Sequence, residues 1–344
     1  QSYRELYADN KLNEVYFFFD EIQNISGWQK FVRRMDDSVS KKLFISGSNA
    51  KLLSKEIATS LRGRGISVEL LPLYWSEYLD FKGIKKDIYS SRGKSKTISL
   101  FKQFLMYGSF PEIVAGNKDN DLKRTILQDY FNTMIYNDLV ERYQISSVKN
   151  IKFFMRQLLA SHAKEFSINK IYNTFKSAGL KIGRNSLYDY LDYAETVYLL
   201  STLSKYEKSG RQTELARKKV FIIDNGLWGA VNIKDVDSLS RRLESVVFWY
   251  LRSVYEDVFM YKTEDNYECD FVVGGQGRIE KCIQVCLDME MESTKEREIR
   301  ALVKACRFFG LKEGWLISLE EDGELEVEGI KIKVVPAWKW MLLV

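Results

Sequence analysis

A continuous apolar run that ends in two acidic residues constrains the fold of this chain most. Residues 15–19 read Val-Tyr-Phe-Phe-Phe, and Asp20 and Glu21 follow directly. An unbroken run of aromatic and β-branched residues is typical of a strand buried on both faces of a parallel sheet. Such sheets bind ligands at the carboxyl ends of their strands. The sequence therefore predicts a parallel α/β sheet with acidic side chains at its ligand-binding edge.

The residues that follow alternate between helices and strands. We predict a helix over 28–35, a strand over 42–45, a helix over 51–59 and a strand over 66–71. The strand over 42–45 ends in the polar run Ser-Gly-Ser-Asn, so polar side chains again follow a strand directly. This alternation is typical of a parallel α/β sheet.

Beyond residue 71 the hydrophobic pattern changes to that of helices. Apolar residues at three- and four-residue spacing predict helices over 97–107 and 121–143, and the charged stretch 82–96 is predicted as an exposed loop. At 344 residues the chain is long for a single core, so several domains are expected. The fold class predicted is multi-domain α/β, with domains over 1–81, 97–150, 151–230 and 239–344.

The region 151–230 has the pattern of a winged helix-turn-helix. Its predicted elements are a helix starting at 167–171, a turn at 180–183, a helix over 186–195, and strands over 197–201 and 219–223. In DNA-binding motifs of this order, the second helix enters the major groove.

Two kinds of partner fit that pattern. Lys170, Lys176, Lys181 and Arg184 precede the second helix in the sequence and would meet DNA phosphates. The helix itself carries three carboxylates, which repel phosphate, and winged helices also serve as protein-docking modules. The sequence therefore does not decide whether the partner is DNA or a protein.

The composition excludes several classes of protein. No apolar run reaches the roughly 18 residues that a membrane helix needs, and the first residues lack the apolar centre of a signal peptide. The four cysteines form no Cys-x-x-Cys pair, and the single histidine, His162, is expected to be a helix-surface or packing residue and not a catalyst. The net charge of +5 permits nucleic-acid binding without requiring it. We expect a cytoplasmic protein with no membrane partner.

Seven segments, in order along nearly the whole chain, resemble one protein family. They read VYFFFDEIQ at 15–23, LFISGSNA at 43–50, LLSKEIATSLRGR at 52–64, PLYWSEYL at 72–79, YGSFPE at 107–112, YFNTMIYNDLVER at 130–142 and KVFIIDNG at 219–226. The chain resembles the prokaryotic predicted AAA+ ATPases, and more narrowly the group that ends in a nuclease-like domain of unknown function. The resemblance implies part of a P-loop NTPase sheet, a lid-like helical region, the cofactors ATP and Mg²⁺, and self-association.

The resemblance also assigns roles to the residues at the first two strand ends. Asp20 matches the acid that positions Mg²⁺ through a water, and Glu21 matches the acid that activates the attacking water. Ser48 or Asn49 matches the residue that senses the γ-phosphate. Judged from the residues alone, a strand that ends in two acids is also common outside nucleotide-binding proteins.

Arg62 and Arg64 match the Gly-Arg element of the family. The resemblance implies an arginine that contacts phosphate or a neighbouring subunit. Solvated loop charges are the alternative interpretation.

The chain departs from the family in its phosphate-binding loop. No Gly-x-x-x-x-Gly-Lys-[Ser/Thr] occurs, and only nineteen residues precede Asp20. The tripeptide Gly93-Lys94-Ser95 does not qualify, because Ile88 stands where the first glycine is required. Without backbone N–H groups and a lysine around the phosphates, the triphosphate loses most of its anchoring. We therefore expect a family member without its N-terminal portion, unable to hydrolyse ATP alone.

The last region resembles the PD-(D/E)xK nuclease fold in the order of its elements. Helices are predicted over 242–256 and 294–309, and strands over 258–262, 268–273, 281–287, 314–318 and 330–336, with Trp338 and Trp340 packing the closing strand. The resemblance places Glu244, Asp270, Gln284 and Cys286 at the positions of the metal-binding acids and the lysine. Because Gln284 is neutral and Cys286 supplies no cation, we predict a vestigial site without cleavage activity. Residual nuclease activity is the alternative.

The function predicted from these patterns is that of an AAA+ superfamily ATPase. Hydrolysis would be impaired by the missing phosphate loop and coupled to a winged helix and a degenerate nuclease-like domain. The alternative is a non-catalytic module that binds DNA or acts as a protein adaptor.

Overall fold

The computed structural model describes residues 2–48, 65–86, 90–116, 118–207, 209–215, 217–232, 238–287, 289 and 292–343. The chain divides into two compact units with mixed α/β structure. The first comprises Gln1–Leu70 and Asp192–Tyr198, and the second comprises Leu71–Leu191 and Leu199–Val344.

The first unit contains a pair of parallel strands. Its elements are α1 (Ser2–Leu6), β1 (Phe17–Phe19), α2 (Trp28–Ser38) and β2 (Leu43–Ile45). Both predicted strands and the predicted helix between them are confirmed. Trp28 and Val32, one turn apart on α2, are buried with Ile22 against Phe19 and the side chains of β2. The helix therefore covers one face of the strand pair.

The opposite face of this strand pair is open to solvent. Phe18 and Phe44 stack with their ring centroids 4.9 Å apart, and they are 72% and 51% exposed. The prediction of a third strand over 66–71 is wrong, since these residues form none. Their apolar side chains Ile66, Val68 and Leu70 are exposed. Strand propensity alone does not make a strand, because its backbone groups need a hydrogen-bonding neighbour.

The second unit begins with a group of helices. These are α3 (Trp75–Phe81), α4 (Ser91–Tyr107), α5 (Pro111–Val114), α6 (Asn120–Thr133), a π-helix (Met134–Glu141) and α7 (Val148–Ala160). The predicted loop over 82–96 is corrected, because α4 begins at Ser91. The Ser90 hydroxyl accepts a hydrogen bond from the Gly93 N–H at 3.0 Å, which caps the helix before its apolar residues start.

A small three-stranded sheet follows. The elements are β3 (Lys164–Phe166), α8 (Ile168–Ser177), α9 (Arg184–Thr196), β4 (Leu200–Ser204), α10 (Gly210–Leu215) and β5 (Lys218–Ile222). The strands are antiparallel in the order β3-β5-β4, so the last strand in sequence lies in the centre. Residues 219–222 of β5 are buried, as the apolar run in the sequence indicated.

The remaining residues build a six-stranded mixed sheet with helices. The helices are α11 (Asn225–Val231), α12 (Leu239–Val254), α13 (Glu292–Phe308) and α14 (Ala337–Leu343). The strands are β6 (Asp257–Lys262), β7 (Glu268–Gly275), β8 (Arg278–Val285), β9 (Glu313–Ser318), β10 (Gly323–Val327) and β11 (Ile330–Pro336). Their order is β10-β11-β9-β8-β7-β6, with β9 parallel to both of its neighbours.

The five strands predicted for this region are confirmed. The sequence analysis missed β10, a short edge strand that carries two exposed glutamates and whose two apolar side chains, Leu325 and Val327, are only partly buried. Trp338 and Trp340 lie on α14, the helix that directly follows β11, and both are buried.

Among the residues that the structure describes, no helix combines the length and the apolar character needed to cross a membrane.

Candidate functional site

Acidic side chains meet hydroxyl groups at the carboxyl ends of β1 and β2. The parallel register pairs Phe19 with Ile45, so the residues that follow the two strands come to the same edge. The Ser46 hydroxyl donates a hydrogen bond to Asp20 Oδ1. The Ser48 hydroxyl donates to Glu21 Oε2 at 3.1 Å. The structure thus brings together three of the residues predicted for this site, Asp20, Glu21 and Ser48, and adds Ser46.

The backbone at Glu21 turns sharply at the end of β1. Glu21 has the left-handed conformation, with φ 47° and ψ 41°, which is uncommon for a residue other than glycine. The turn directs the chain into a short 3₁₀ helix, Ile22–Asn24, and Ile22 N donates to Ser46 O at 3.4 Å. Backbone strain of this kind clusters at functional sites.

The side chains of this edge are accessible. Asp20 is exposed, and Glu21 and Ser48 are half-buried. Carboxylate and hydroxyl oxygens are the hard ligands that Mg²⁺ prefers, directly or through its waters. The predicted residues Asn49, Arg62 and Arg64 lie outside the described residues.

The Gly93-Lys94-Ser95 tripeptide lies in the first turns of α4. Its amide groups are used by the helix cap, since Gly93 N donates to the Ser90 hydroxyl and Lys94 N donates to Ser90 O at 2.8 Å. The tripeptide is therefore part of a helix and does not form the anion-binding loop in which a Gly-Lys-Ser sequence often occurs.

A second group of charged side chains is buried next to the six-stranded sheet. The ammonium of Lys219, on β5, lies 2.7 Å from Glu244 Oε1, 2.7 Å from Glu268 Oε1 and 3.2 Å from Asp270 Oδ1. Glu244 comes from α12, and Glu268 and Asp270 come from β7. We call Lys219, Glu244, Glu268 and Asp270 the ammonium cluster.

The amide of Gln284 extends this cluster toward α13. Gln284 Nε2 donates to Asp270 Oδ2 at 2.8 Å and to Glu298 Oε2 at 2.5 Å. Val285 N also donates to Asp270 Oδ2, at 3.0 Å. Glu298 is paired with Arg297 through its other oxygen.

Two opposing effects set the pKa values in the cluster: burial, and pairing with groups of opposite charge. Burial raises the pKa of the Glu244 carboxyl, and that of the Asp270 carboxyl, while the Lys219 charge opposes both shifts. Burial lowers the pKa of Lys219, but the carboxylates around it raise it well above its usual value. The ammonium therefore stays charged at neutral pH.

The structure brings together three of the four residues that the sequence placed at this site. Glu244, Asp270 and Gln284 do come together, whereas Cys286 is buried in the apolar core of the sheet. Lys219, Glu268 and Glu298 were missed. The sequence contained one indication of this cluster, the lysine at the start of an apolar strand. A lysine that is buried with its strand is stable only if carboxylates pair with its ammonium.

The residues predicted to contact DNA are on the surface. Lys170, Lys181 and Arg184 are all exposed. The guanidinium of Arg184 and the ammonium of Lys176 lie 5.1 Å and 4.8 Å from the ring centroid of Tyr172. Asn150 Nδ2 donates to Lys181 O at 2.9 Å, which joins this turn to the start of α7.

Comparison with known proteins gives the family. Residues 1–79 match an AAA domain, and residues 98–238 match a domain of unknown function (DUF8612). The chain is 38% identical over 340 residues to an uncharacterized protein of Methanocaldococcus jannaschii, which covers 96% of this chain and 75% of that protein. It is 30% identical over 328 residues to an uncharacterized protein of Haemophilus influenzae, which covers 94% of this chain and 77% of that protein. The chain belongs to the family of these two proteins.

The AAA domain contains the site at the ends of β1 and β2. The prediction of an AAA-type family is thereby confirmed, and proteins of the AAA type use nucleotide and Mg²⁺ in general. The winged helix, the nuclease-like region and the roles of single residues stay predictions.

Proposed function

We propose that this chain carries the acidic half of an AAA-type ATPase centre, at the ends of β1 and β2. The observation that carries the proposal is the pairing of each acid with a hydroxyl from the neighbouring strand, Ser46 with Asp20 and Ser48 with Glu21. Two adjacent carboxylates with different hydroxyl partners can take different roles, because each is held in its own orientation.

The donor set fits a magnesium nucleotide. Mg²⁺ needs only one or two carboxylates, since waters and phosphate oxygens complete its coordination. Asp20, the exposed acid, would hold a water of the Mg²⁺ shell, and Ser46 would orient its carboxylate. When bound, Mg²⁺ supplies positive charge against the charge that develops on the phosphates.

Glu21 would then act as the base for the attacking water. The Ser48 hydroxyl donates to Oε2 and so orients the carboxylate, which would take a proton from the attacking water. Ser48 or Asn49 would sense the γ-phosphate, and Arg62 and Arg64 would contact phosphate or a neighbouring subunit. Nucleotide binding would be coupled to the helical region, to a winged helix over 151–230 and to a degenerate nuclease-like domain.

The experiment compares two polypeptides for phosphate release from ATP. One is this chain, and the other is this chain with an AAA phosphate-binding strand and loop joined to its N terminus. We expect no turnover from the first, because its sequence has no Gly-x-x-x-x-Gly-Lys-[Ser/Thr]. We expect Mg²⁺-dependent turnover from the second.

Variants of the extended polypeptide identify the residues that act. Asp20→Asn should lower turnover at least about 100-fold, and Glu21→Gln should lower it similarly while nucleotide binding is kept. Glu14→Gln is the matched control, since Glu14 is an exposed acid of the same unit paired only loosely with Lys11, at 3.9 Å. An extended polypeptide that binds nucleotide but hydrolyses it equally well with Asp20→Asn would refute the proposal.

A second candidate function is the binding of duplex DNA through residues 148–184. Between positions 146 and 188 the chain has eight Lys and Arg residues but a single acidic residue. The order β3-β5-β4, with α8 and α9 between β3 and β4, supports the interpretation as a winged helix. The acidic residues of α9 disfavour the second helix as the contact, so α7, α8 and the turn before α9 would meet phosphate.

Salt dependence distinguishes DNA binding from protein docking. Phosphate contacts predict a DNA affinity whose logarithm falls with log salt by about 0.9 per contact. The triple variant Lys170→Ala, Lys181→Ala, Arg184→Ala should weaken binding and flatten this slope. The control variant removes three lysines that pair with carboxylates elsewhere: Lys295→Ala, Lys331→Ala, Lys339→Ala. Equal affinities for the two variants would exclude this candidate.

A further inference from the structure

One buried cation is shared by three carboxylates in the ammonium cluster. The side chain of Lys219 is only 6% exposed, and those of Asp270 and Glu244 are 12% and 14% exposed. An ammonium has three N–H donors and no acceptor, and the three carboxylates offer one acceptor to each. The donor and acceptor numbers therefore match.

The same arrangement of oxygens is the type that binds a divalent cation. Converging carboxylates from different elements, with further oxygens nearby, are the ligands of Mg²⁺, Mn²⁺ and Ca²⁺. In the part of the chain that the structure describes, no group of three or more His, Cys, Asp and Glu side chains is arranged to hold a metal ion. In this cluster the Lys219 nitrogen lies among the oxygens instead of a metal ion.

The residues around the cluster also favour the ammonium over a metal. Gln284 stands opposite Asp270, and its Nε2 donates to Asp270 Oδ2, so this oxygen is already paired. An amide donor directed at the carboxylate repels a cation that approaches from that side. A cation could therefore reach Asp270 only through Oδ1, the oxygen that Lys219 occupies.

We propose that the Lys219 ammonium takes the place of a divalent cation in a latent metal site formed by Glu244, Glu268 and Asp270. The ammonium is covalently part of β5, whereas the carboxylates lie on α12 and β7. The cluster thus ties the small sheet to the six-stranded sheet. These ion pairs need no metal ion, and a metal ion cannot enter the latent site as long as Lys219 is present.

The test removes the ammonium and supplies a metal. The Lys219→Met variant keeps the unbranched apolar part of the side chain and removes the ammonium. Because the buried carboxylates of Glu244 and Asp270 are left without their cation, its unfolding midpoint should fall by roughly 10 °C. Addition of Mn²⁺ or Mg²⁺ should recover a large part of this fall, and Mn²⁺ should bind with a stoichiometry of one. The wild-type midpoint should not respond beyond a control of equal ionic strength.

A neighbouring lysine gives the matched control. Lys262 lies 3.9 Å from Glu268 and 3.4 Å from Glu165, and its side chain is 27% exposed. Lys262→Met removes an equal charge close by but leaves Lys219 in place. It should not create Mn²⁺ binding. If Mn²⁺ stabilises this variant as much as Lys219→Met, the effect is general screening and the proposal fails.

A second variant covers the case in which Lys219→Met does not fold. Adding Glu244→Gln to Lys219→Met lowers the charge of the cluster, so the double variant should be more stable than the single one. It should also bind Mn²⁺ at least about tenfold more weakly, because a ligand is lost. A Lys219→Met protein that folds and ignores metal would overturn the proposal. Specific Mn²⁺ binding at this cluster in the wild type would also overturn it.

Discussion

The carboxylate of Asp224 fills the space that a side chain on Gly108 would need. A Cβ atom built on Gly108 would lie 2.0 Å from Asp224 Oδ1. Gly108 also has a φ of 75°, a conformation that other residues rarely adopt. The contact joins the end of α4 to the start of α11, two elements more than a hundred residues apart in sequence.

Gly108→Ala should therefore be strongly destabilising. With ψ at −161°, Gly108 lies in a region almost exclusive to glycine, which costs an alanine about 1–3 kcal/mol. The collision with a buried carboxylate adds to this, so we expect a loss of about 3 kcal/mol or more. Gly116→Ala is the control, because Gly116 has a similar φ of 71° but nothing within 4 Å of its Cβ position. Urea unfolding of both variants measures the difference. Equal losses would show that the contact with Asp224 is unimportant.

Asp224 itself should be sensitive to a change that keeps its shape. Its oxygens accept hydrogen bonds from Ser109 N at 2.7 Å and from Leu227 N at 2.9 Å, and burial raises the pKa of its carboxyl. Asp224→Asn turns one oxygen into a donor that faces another donor. We expect a loss of about 1–3 kcal/mol in the free energy of unfolding.

An exposed helix cap gives the comparison for Asp224. Asp119 caps α6 by accepting from Leu122 N at 2.7 Å, close to the surface. Asp119→Asn should cost only a few tenths of a kcal/mol, since asparagine is as good a cap and water reaches the site. If the two variants lose the same stability, burial of Asp224 is not what makes it important.

His162 should make stability depend on acid pH. Burial, and next the charge of Arg242, lower the pKa of His162 to about 3. Its Nδ1 accepts a hydrogen bond from Ile222 N at 3.1 Å, which requires a neutral ring. An unfolded chain takes up this proton near pH 6.5, but the folded chain does not. The stability contribution is thus complete above pH 6.5 and declines by about 1.4 kcal/mol per pH unit as the pH falls toward 3.

The His162→Asn variant isolates that dependence. Its amide oxygen can accept from Ile222 N, but it does not titrate. We expect a lower stability at pH 7.5, because the smaller side chain leaves a cavity beside Trp228 and Phe221. The difference between wild type and variant should shrink from pH 6.5 to pH 4.5 in urea unfolding. A difference that stays constant would contradict a neutral buried histidine.

Arg242 should not be replaceable by lysine. Its Nη1 donates to three carbonyl oxygens, those of Asn225 at 2.8 Å, Met106 at 3.0 Å and Leu105 at 3.2 Å, and the guanidinium stacks on Trp228. A lysine loses the planar group that makes these contacts together. We expect Arg242→Lys to lose about 2–4 kcal/mol in chemical unfolding.

Another arginine of α12 serves as the control for Arg242. Arg252 lies over the ring of Trp249, at 5.1 Å, but is only half-buried. Arg252→Lys should change stability by less than about 0.5 kcal/mol. A loss comparable with that of Arg242→Lys would mean that stacking on tryptophan, and not the carbonyl contacts, accounts for the effect.

The sequence by itself determined the elements whose pattern is local. The apolar run before Asp20 predicted β1, and the polar residues after it predicted where that strand ends. The apolar stretches after position 257 predicted five of the six strands of the large sheet. These predictions succeeded because side-chain periodicity and turn residues act within a few positions. The AAA-type family was likewise readable from short motifs in order.

Only the tertiary structure decided which elements pair and which distant charges meet. The segment 66–71 has the composition of a strand, yet none forms there, because strand formation depends on a neighbour that composition does not specify. Lys219 reads as an ordinary strand residue, and its partners lie 25 to 51 positions further along the chain. Burial in a low dielectric forces such charges to pair, but the choice of partner depends on the packing of α12 and β7 against β5.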